Sequence, residues 1–258
     1  MEFTEPVLLA METQRRSPSA AAKHSRFLDL LQPVPGEHIL DIGFGSGTFC
    51  REVAPLVEPG GSVVGIDHAP AAIDVARRLS ALEDRSVLTF TEADAHDLPF
   101  AEASFDAAVC ISVLGFCQDP GKVLEEARRV VRPGGRFLVV NSDEDTRVYN
   151  GRNCELGRRM ARAIADRGND PWLGRRLAPM MTAAGFLVEQ EAALVDLERE
   201  FAAGTSGYAL AHFVRDYLLL TVGIPAVDYE RWLADLAACA LDGSYCYSVV
   251  TYACLARR

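Results

Sequence analysis

The chain has 258 residues, 49% of them hydrophobic, enough to bury one sizeable core, and its 36 acids against 26 bases leave a formal charge of −10. That balance argues against a phosphate backbone as partner, since nucleic-acid affinity draws on clustered Lys and Arg; Arg158-Arg159 and Arg175-Arg176 are too short and read as solvated helix faces. No apolar run reaches the length of a membrane span, the segment Met1-Glu2-Phe3-Thr4-Glu5 lacks the basic and apolar regions of a signal peptide, and seven cysteines without a CxxC pair point to reduced thiols and no zinc site. A cytoplasmic protein without membrane, metal or nucleic-acid partner is the expectation.

Residues 19–31 place apolar side chains at helical spacing and stop before Pro33-Val34-Pro35-Gly36, which predicts a helix near the mouth of a site. His24 falls on it and is a candidate base; a solvent-facing histidine is the plainer reading.

The segment Ile39-Leu40-Asp41-Ile42-Gly43-Phe44-Gly45-Ser46-Gly47-Thr48 carries the most information. An apolar strand breaks into an acid and three alternating glycines, as needed where a strand turns into a helix with its backbone against a ligand. A dinucleotide fingerprint GxGxxG places its third glycine one position later, where this chain has Thr48, and has an apolar residue where this chain has Asp41. Asp41 suits the ammonium of S-adenosylmethionine and would repel a pyrophosphate. A structural glycine turn without ligand is the alternative.

The run Val63-Val64-Gly65-Ile66 ends in Asp67-His68, where a carboxylate can accept both ribose hydroxyls; a helix cap before Pro70 is the other use of Asp67. The next run, Val87 onward, ends in Asp94-Ala95, an acid followed by a backbone amide able to read adenine, or an ordinary turn acid. A fourth run, Phe105-Asp106-Ala107-Ala108-Val109-Cys110-Ile111-Ser112, should end facing the reacting methyl group, with Ile111 and Ser112 at the cofactor. No Asn-Pro-Pro-aromatic sequence follows it, no acid there begins a divalent-metal site, and Cys110 reads as a buried structural thiol.

With these motifs and the run Leu124-Glu125-Glu126-Ala127-Arg128-Arg129-Val130-Val131-Arg132-Pro133-Gly134-Gly135-Arg136-Phe137-Leu138-Val139-Val140, residues 37–143 resemble the class I S-adenosylmethionine-dependent methyltransferases, in the subgroup of quinone C-methyltransferases and bacterial small-molecule methyltransferases. The resemblance implies a Rossmann-like α/β fold, a seven-stranded and mostly parallel sheet with an antiparallel last strand and a helical lid. It also implies a cofactor set of Asp41, Gly43, Phe44, Gly45, Gly47, Asp67, His68, Asp94, Ala95, Ile111 and Ser112. Phe44 departs from the Cys common at that position.

The reading is one domain over 1–258, with a cofactor core at 33–143 and a lid at 201–243. Helices are expected at 155–167 and 173–184, strand six near Phe186, lid helices at 206–222 and 228–241, and a last strand over Tyr245-Cys246-Tyr247-Ser248-Val249-Val250-Thr251-Tyr252. Tyr208 and His212 stand one turn apart on the lid; His212 is a second candidate base or a polar lid residue, and Tyr208, Tyr149 and Trp172 are candidate pocket walls. The expected activity is methyl transfer to a small-molecule acceptor, a specialised metabolite or quinone-like ring. An S-adenosylmethionine-binding cyclase or non-methylating homologue is the alternative, and a nicotinamide-dependent oxidoreductase is less favoured by the spacing.

Overall fold

Four short, almost continuously apolar runs become β1 (His38–Ile42), β2 (Ser62–Asp67), β3 (Leu88–Glu92) and β4 (Phe105–Ile111), as strands buried on both faces require. With β5 (Val131–Asn150), β6 (Leu187–Glu198) and β7 (Cys246–Arg257) they form one sheet in the order β3-β2-β1-β4-β5-β7-β6. β1 to β5 pair in parallel, and β7 runs antiparallel to both neighbours. This is the Rossmann-like sheet of seven strands with an antiparallel last strand that the resemblance implies. The computed structural model describes residues 4–15, 17–83 and 86–258, so Met1, Glu2 and Phe3 of the opening segment lie outside the described residues.

One core holds Phe27 and Leu31 of α2 (Pro18–Leu31), Phe49 and Val53 of α3 (Thr48–Val57) and Ile73 of α4 (Pro70–Ala81), together with Leu8 of α1 (Glu5–Arg15). On the other face Val123 and Ala127 of α5 (Pro120–Val130) and Leu177 and Met181 of α7 (Leu173–Ala183) pack against Phe137 and Cys254. A third cluster joins α6 (Cys154–Ala165), α8 (Ser206–Phe213), α9 (Ala226–Leu241) and the outer strand residues Tyr149, Tyr247 and Val249. The cap over the site therefore comes from two stretches of chain, one on each side of β6. No helix among the described residues is long and apolar enough to cross a membrane.

Four details depart from the sequence reading. α1 was not anticipated. β5 runs on past Val140 and resumes its pairing after a register shift, with Tyr149 opposite Tyr247, so Tyr149 belongs to the strand and not to a segment after it. The helix expected at 206–222 is α8 followed by a π-helical turn, Tyr217–Thr221. Arg175 is not on a purely solvated face, because it forms a bidentate pair with the fully buried Asp143. All seven cysteines are free thiols, and burial pushes the Cys110 thiol well above its ordinary range, as befits a packing residue.

Candidate active site

The sheet order reverses between β1 and β4, and this opens a crevice at the carboxyl ends of the strands. β1 ends at Ile42 and α3 begins at Thr48, so residues 43–47 must reverse the chain. Gly43 does so at φ 76°, where a Cβ would also stand 2.3 Å from a Val113 methyl. Gly45 sits at φ 60°, and its Cβ would meet the Arg15 guanidinium at 3.3 Å. Gly43 is closed to side chains by conformation and by space, and Gly45 by its conformation, since the flexible end of Arg15 can yield the few tenths of an ångström required. Gly47 caps α3 and backs on Ala76 and Phe90 instead of the cavity.

Asp67 ties the loop to the end of β2. Its Oδ2 accepts the Gly45 N–H at 3.0 Å and its Oδ1 accepts the Ala69 N–H at 3.0 Å; Ala69, not Asp67, is the N-cap of α4, which has no side-chain cap bond. Each oxygen keeps lone-pair capacity for a further donor. Asp94 accepts the His96 N–H at 2.9 Å and stands 2.7 Å from His96 Nδ1; these hydrogen bonds hold its carboxyl below the usual range, as an anion.

Asp41 lies deeper, under the loop, and accepts the Cys50 thiol at 3.0 Å. Burial raises its pKa to about 6, partly offset by the Cys50 hydrogen bond and the nearby Arg15 cation. Arg15 descends from the end of α1 to donate Nη1 to the Phe44 carbonyl at 3.3 Å. α1 is held in place by Glu12, which accepts from Thr48 Oγ1 and Arg51 at 2.6 Å each, and by Gln14, which donates to Ser206 Oγ at 2.6 Å. Helix α1 thus spans from the glycine loop to α8.

These elements enclose a cavity of about 1170 Å³. Gly43, Gly45, Asp67, His68, Asp94, Ala95, Ile111 and Ser112 all line it. Asp41 and Phe44 instead line a small recess beside it, with Arg15, His24 and Gly43 shared by both spaces. Phe44 is buried against Phe90, with ring centroids 4.8 Å apart. Ser112 adopts φ 59° and donates its N–H to the Val140 carbonyl at 2.8 Å, which turns the end of β4 along the cavity.

Of the remaining candidates, His24, Tyr208 and His212 line the cavity, whereas Tyr149 and Trp172 do not. His24 is buried, with Nδ1 2.8 Å from Glu52 Oε2; an ionised carboxylate only accepts, so Nδ1 is the donor. His212 is exposed and donates Nδ1–H to the Tyr208 carbonyl at 2.8 Å, which leaves Nε2 as the ring nitrogen without that bond. Tyr149 is buried in the third core cluster and donates its hydroxyl to the Gly207 carbonyl at 3.2 Å. Trp172 is surface-exposed, packs against the Arg175 and Arg176 guanidinia and donates its indole N–H to Asp145 at 2.6 Å.

Among the polar lining residues that the sequence reading missed, three stand out. Arg15 is one; Pro6 near the start of α1 and apolar Val7, Leu8 and Met11 were the available helix signal. Asn141, on β5, has a buried Oδ1 without a hydrogen-bond partner. Arg167, after α6, is enclosed between aromatic rings. Nothing local marks the last two. Across the same wall Arg147 holds Glu144 bidentately and donates to the Tyr247 hydroxyl.

A doubly wound sheet, a glycine loop closed to side chains, acids at the ends of β1, β2 and β3 and a cation beside the loop together make a site for a nucleoside bearing an amino-acid tail. The methyltransferase-domain family model matches residues 40–139. An uncharacterised 37.1 kDa protein of transposon TN4556 from Streptomyces fradiae is 32% identical over 241 residues, covering 93% of this chain and 68% of that protein. A demethylmenaquinone methyltransferase from Clavibacter sepedonicus is 42% identical over 107 residues, 42% of each protein, so the chain spans less than half of that relative. Among solved structures, the [4+2]-cyclase SpnF superposes with a TM-score of 0.57 at 19% identity, covering 91% of this chain and 80% of that one. The chain belongs to the class I S-adenosylmethionine-dependent methyltransferases, and S-adenosylmethionine is its cofactor.

Proposed function

We propose that the protein methylates a small organic molecule of the specialised-metabolite or quinone-like kind. The observation that carries this reading is one large cavity lined both by the cofactor candidates and by Asn141, Arg167, Tyr208 and Phe213. Its volume exceeds the roughly 300–1,000 Å³ of an ordinary ligand site, as two small molecules side by side require.

S-adenosylmethionine supplies the methyl group as an electrophile on a sulfonium. In the proposed complex Asp67 accepts the ribose hydroxyls, Asp94 and the Ala95 amide read the adenine, Arg15 pairs with the methionine carboxylate and Asp41 with its ammonium. Ile111 and Ser112 flank the reacting centre. In-line displacement depends chiefly on holding the acceptor atom on the transfer axis, and the closed walls serve that end.

The likeness to SpnF favours a second reading, in which the bound cofactor organises a cyclisation without being consumed. Quantifying S-adenosylhomocysteine against product over a panel of phenols, amines and carbon acids separates the two. Equimolar S-adenosylhomocysteine and methylated product is the expected result. Turnover of an acceptor with no S-adenosylhomocysteine would replace methyl transfer by the second reading, and stabilisation by NADH alone would displace both.

A further inference from the structure

Arg167 lines the cavity, with its guanidinium 5.7 Å from the ring centroids of Phe116 and Phe213. Its Nε and Nη1 are buried and have no hydrogen-bond partner. A guanidinium carries five donors and no acceptor, so it needs oxygens, and leaving it unpaired in a dry site costs free energy. The same burial holds its pKa below the ordinary guanidinium value.

The carboxylates that line this cavity are already engaged elsewhere. Glu144 is held by Arg147 at 2.6 and 2.7 Å, Asp170 by Arg176 at 2.7 Å, and Asp196 by Lys23 at 2.6 Å. In a chain of net charge −10, a desolvated cation without an oxygen partner is an unusual expense for the fold to bear. A ligand that brings its own oxygens removes that cost on binding.

We propose that Arg167 binds a carboxylate of the methyl acceptor, so that the acceptor is a small organic acid with an apolar or aromatic body; this rests on the methyl-transfer reading above. A planar guanidinium matches a planar carboxylate through two parallel N–H···O bonds. Phe116 and Phe213 hold the guanidinium plane and leave its edge for that pairing. A phosphate is the poorer match, because one guanidinium does not balance nearly two charges and Glu144 lies on the same wall. Asn141 Oδ1, also unpaired, is placed to accept from a hydroxyl or amine on the same molecule.

The test uses matched pairs: salicylate, caffeate and anthranilate, each with its primary amide, and phenyl phosphate. Binding to protein saturated with S-adenosylhomocysteine is followed by calorimetry, and methyl transfer by S-adenosylhomocysteine formation. The wild-type protein is expected to bind at least one acid about 10- to 100-fold more tightly than its amide. Arg167→Gln should abolish that preference with S-adenosylhomocysteine affinity unchanged, and Arg167→Lys should restore only part of it. Equal affinity for acids and amides, acid preference intact in Arg167→Gln, or preference for phenyl phosphate would each overturn the proposal. The acid-to-amide ratio in wild-type protein needs no variant, so a poorly folding substitution does not spare the idea. Acids that bind through Arg167 without forming S-adenosylhomocysteine would uphold the carboxylate site and refute methyl transfer, whereas methylation of neutral acceptors alone would do the reverse.

Discussion

Replacing Asp41 by Asn should make the empty protein more stable at neutral pH while weakening its cofactor. The Asp41 carboxyl is 3% exposed, and burial shifts its pKa from 3.8 to about 6. Between those values the native state retains a proton that the unfolded chain releases, so wild-type stability falls as pH rises through the window. At about 1.4 kcal/mol per unit, the shift destabilises the folded state by roughly 3 kcal/mol above pH ~6, and by only about 1 kcal/mol near pH ~4.5. Asn titrates nowhere in this range, and its amide oxygen can still accept the Cys50 thiol. Urea unfolding of both proteins should therefore show the variant's relative stability growing by about 2 kcal/mol between pH ~4.5 and pH ~8. Taking the difference between two otherwise identical chains cancels the titration of other carboxylates. A stability difference independent of pH would refute the assignment of a desolvated, titrating carboxyl. In the same samples the variant should lose S-adenosylhomocysteine affinity by about 10- to 100-fold, because the carboxylate partner of the ammonium is gone.

Arg15→Ala should weaken S-adenosylhomocysteine by about 10- to 100-fold yet leave methylthioadenosine, which lacks the amino-acid tail, unaffected in calorimetry; equal losses for both would mean that α1 packing had changed instead. If His212 is the base, His212→Asn should lower kcat by about 100-fold or more with cofactor affinity unchanged; an unchanged kcat would remove it from the reaction. His24→Asn, beside Asp41 and Glu52, should instead act mainly on cofactor affinity, and a rate defect with normal binding would exchange the two roles.

Much of the glycine-loop side of the cavity was legible in the sequence because its determinants are short-range. Gly43 and Gly45 stand out since a strand-to-helix reversal against a ligand forbids Cβ within a few residues of chain, and Asp67 and Asp94 because each ends an apolar run whose strand order follows from right-handed parallel connections. The acceptor half was not legible in the same way. Tyr149 and Trp172 were reasonable walls by residue type, but β5 carries Tyr149 into the core under α8, and Asp145 with the two arginines holds Trp172 outside. Arg15, Asn141 and Arg167 meet the cavity only because helices far apart in the chain close over the strand ends, as Gln14 on α1 does in bonding Ser206 on α8. The amino-acid sequence by itself thus determined the fold class and the glycine loop, where backbone conformation and local pattern suffice. Tertiary structure alone decided which charges stay paired and which face the acceptor, because desolvation and long-range packing, not residue type, set whether an arginine finds its oxygens within the protein or must take them from a ligand.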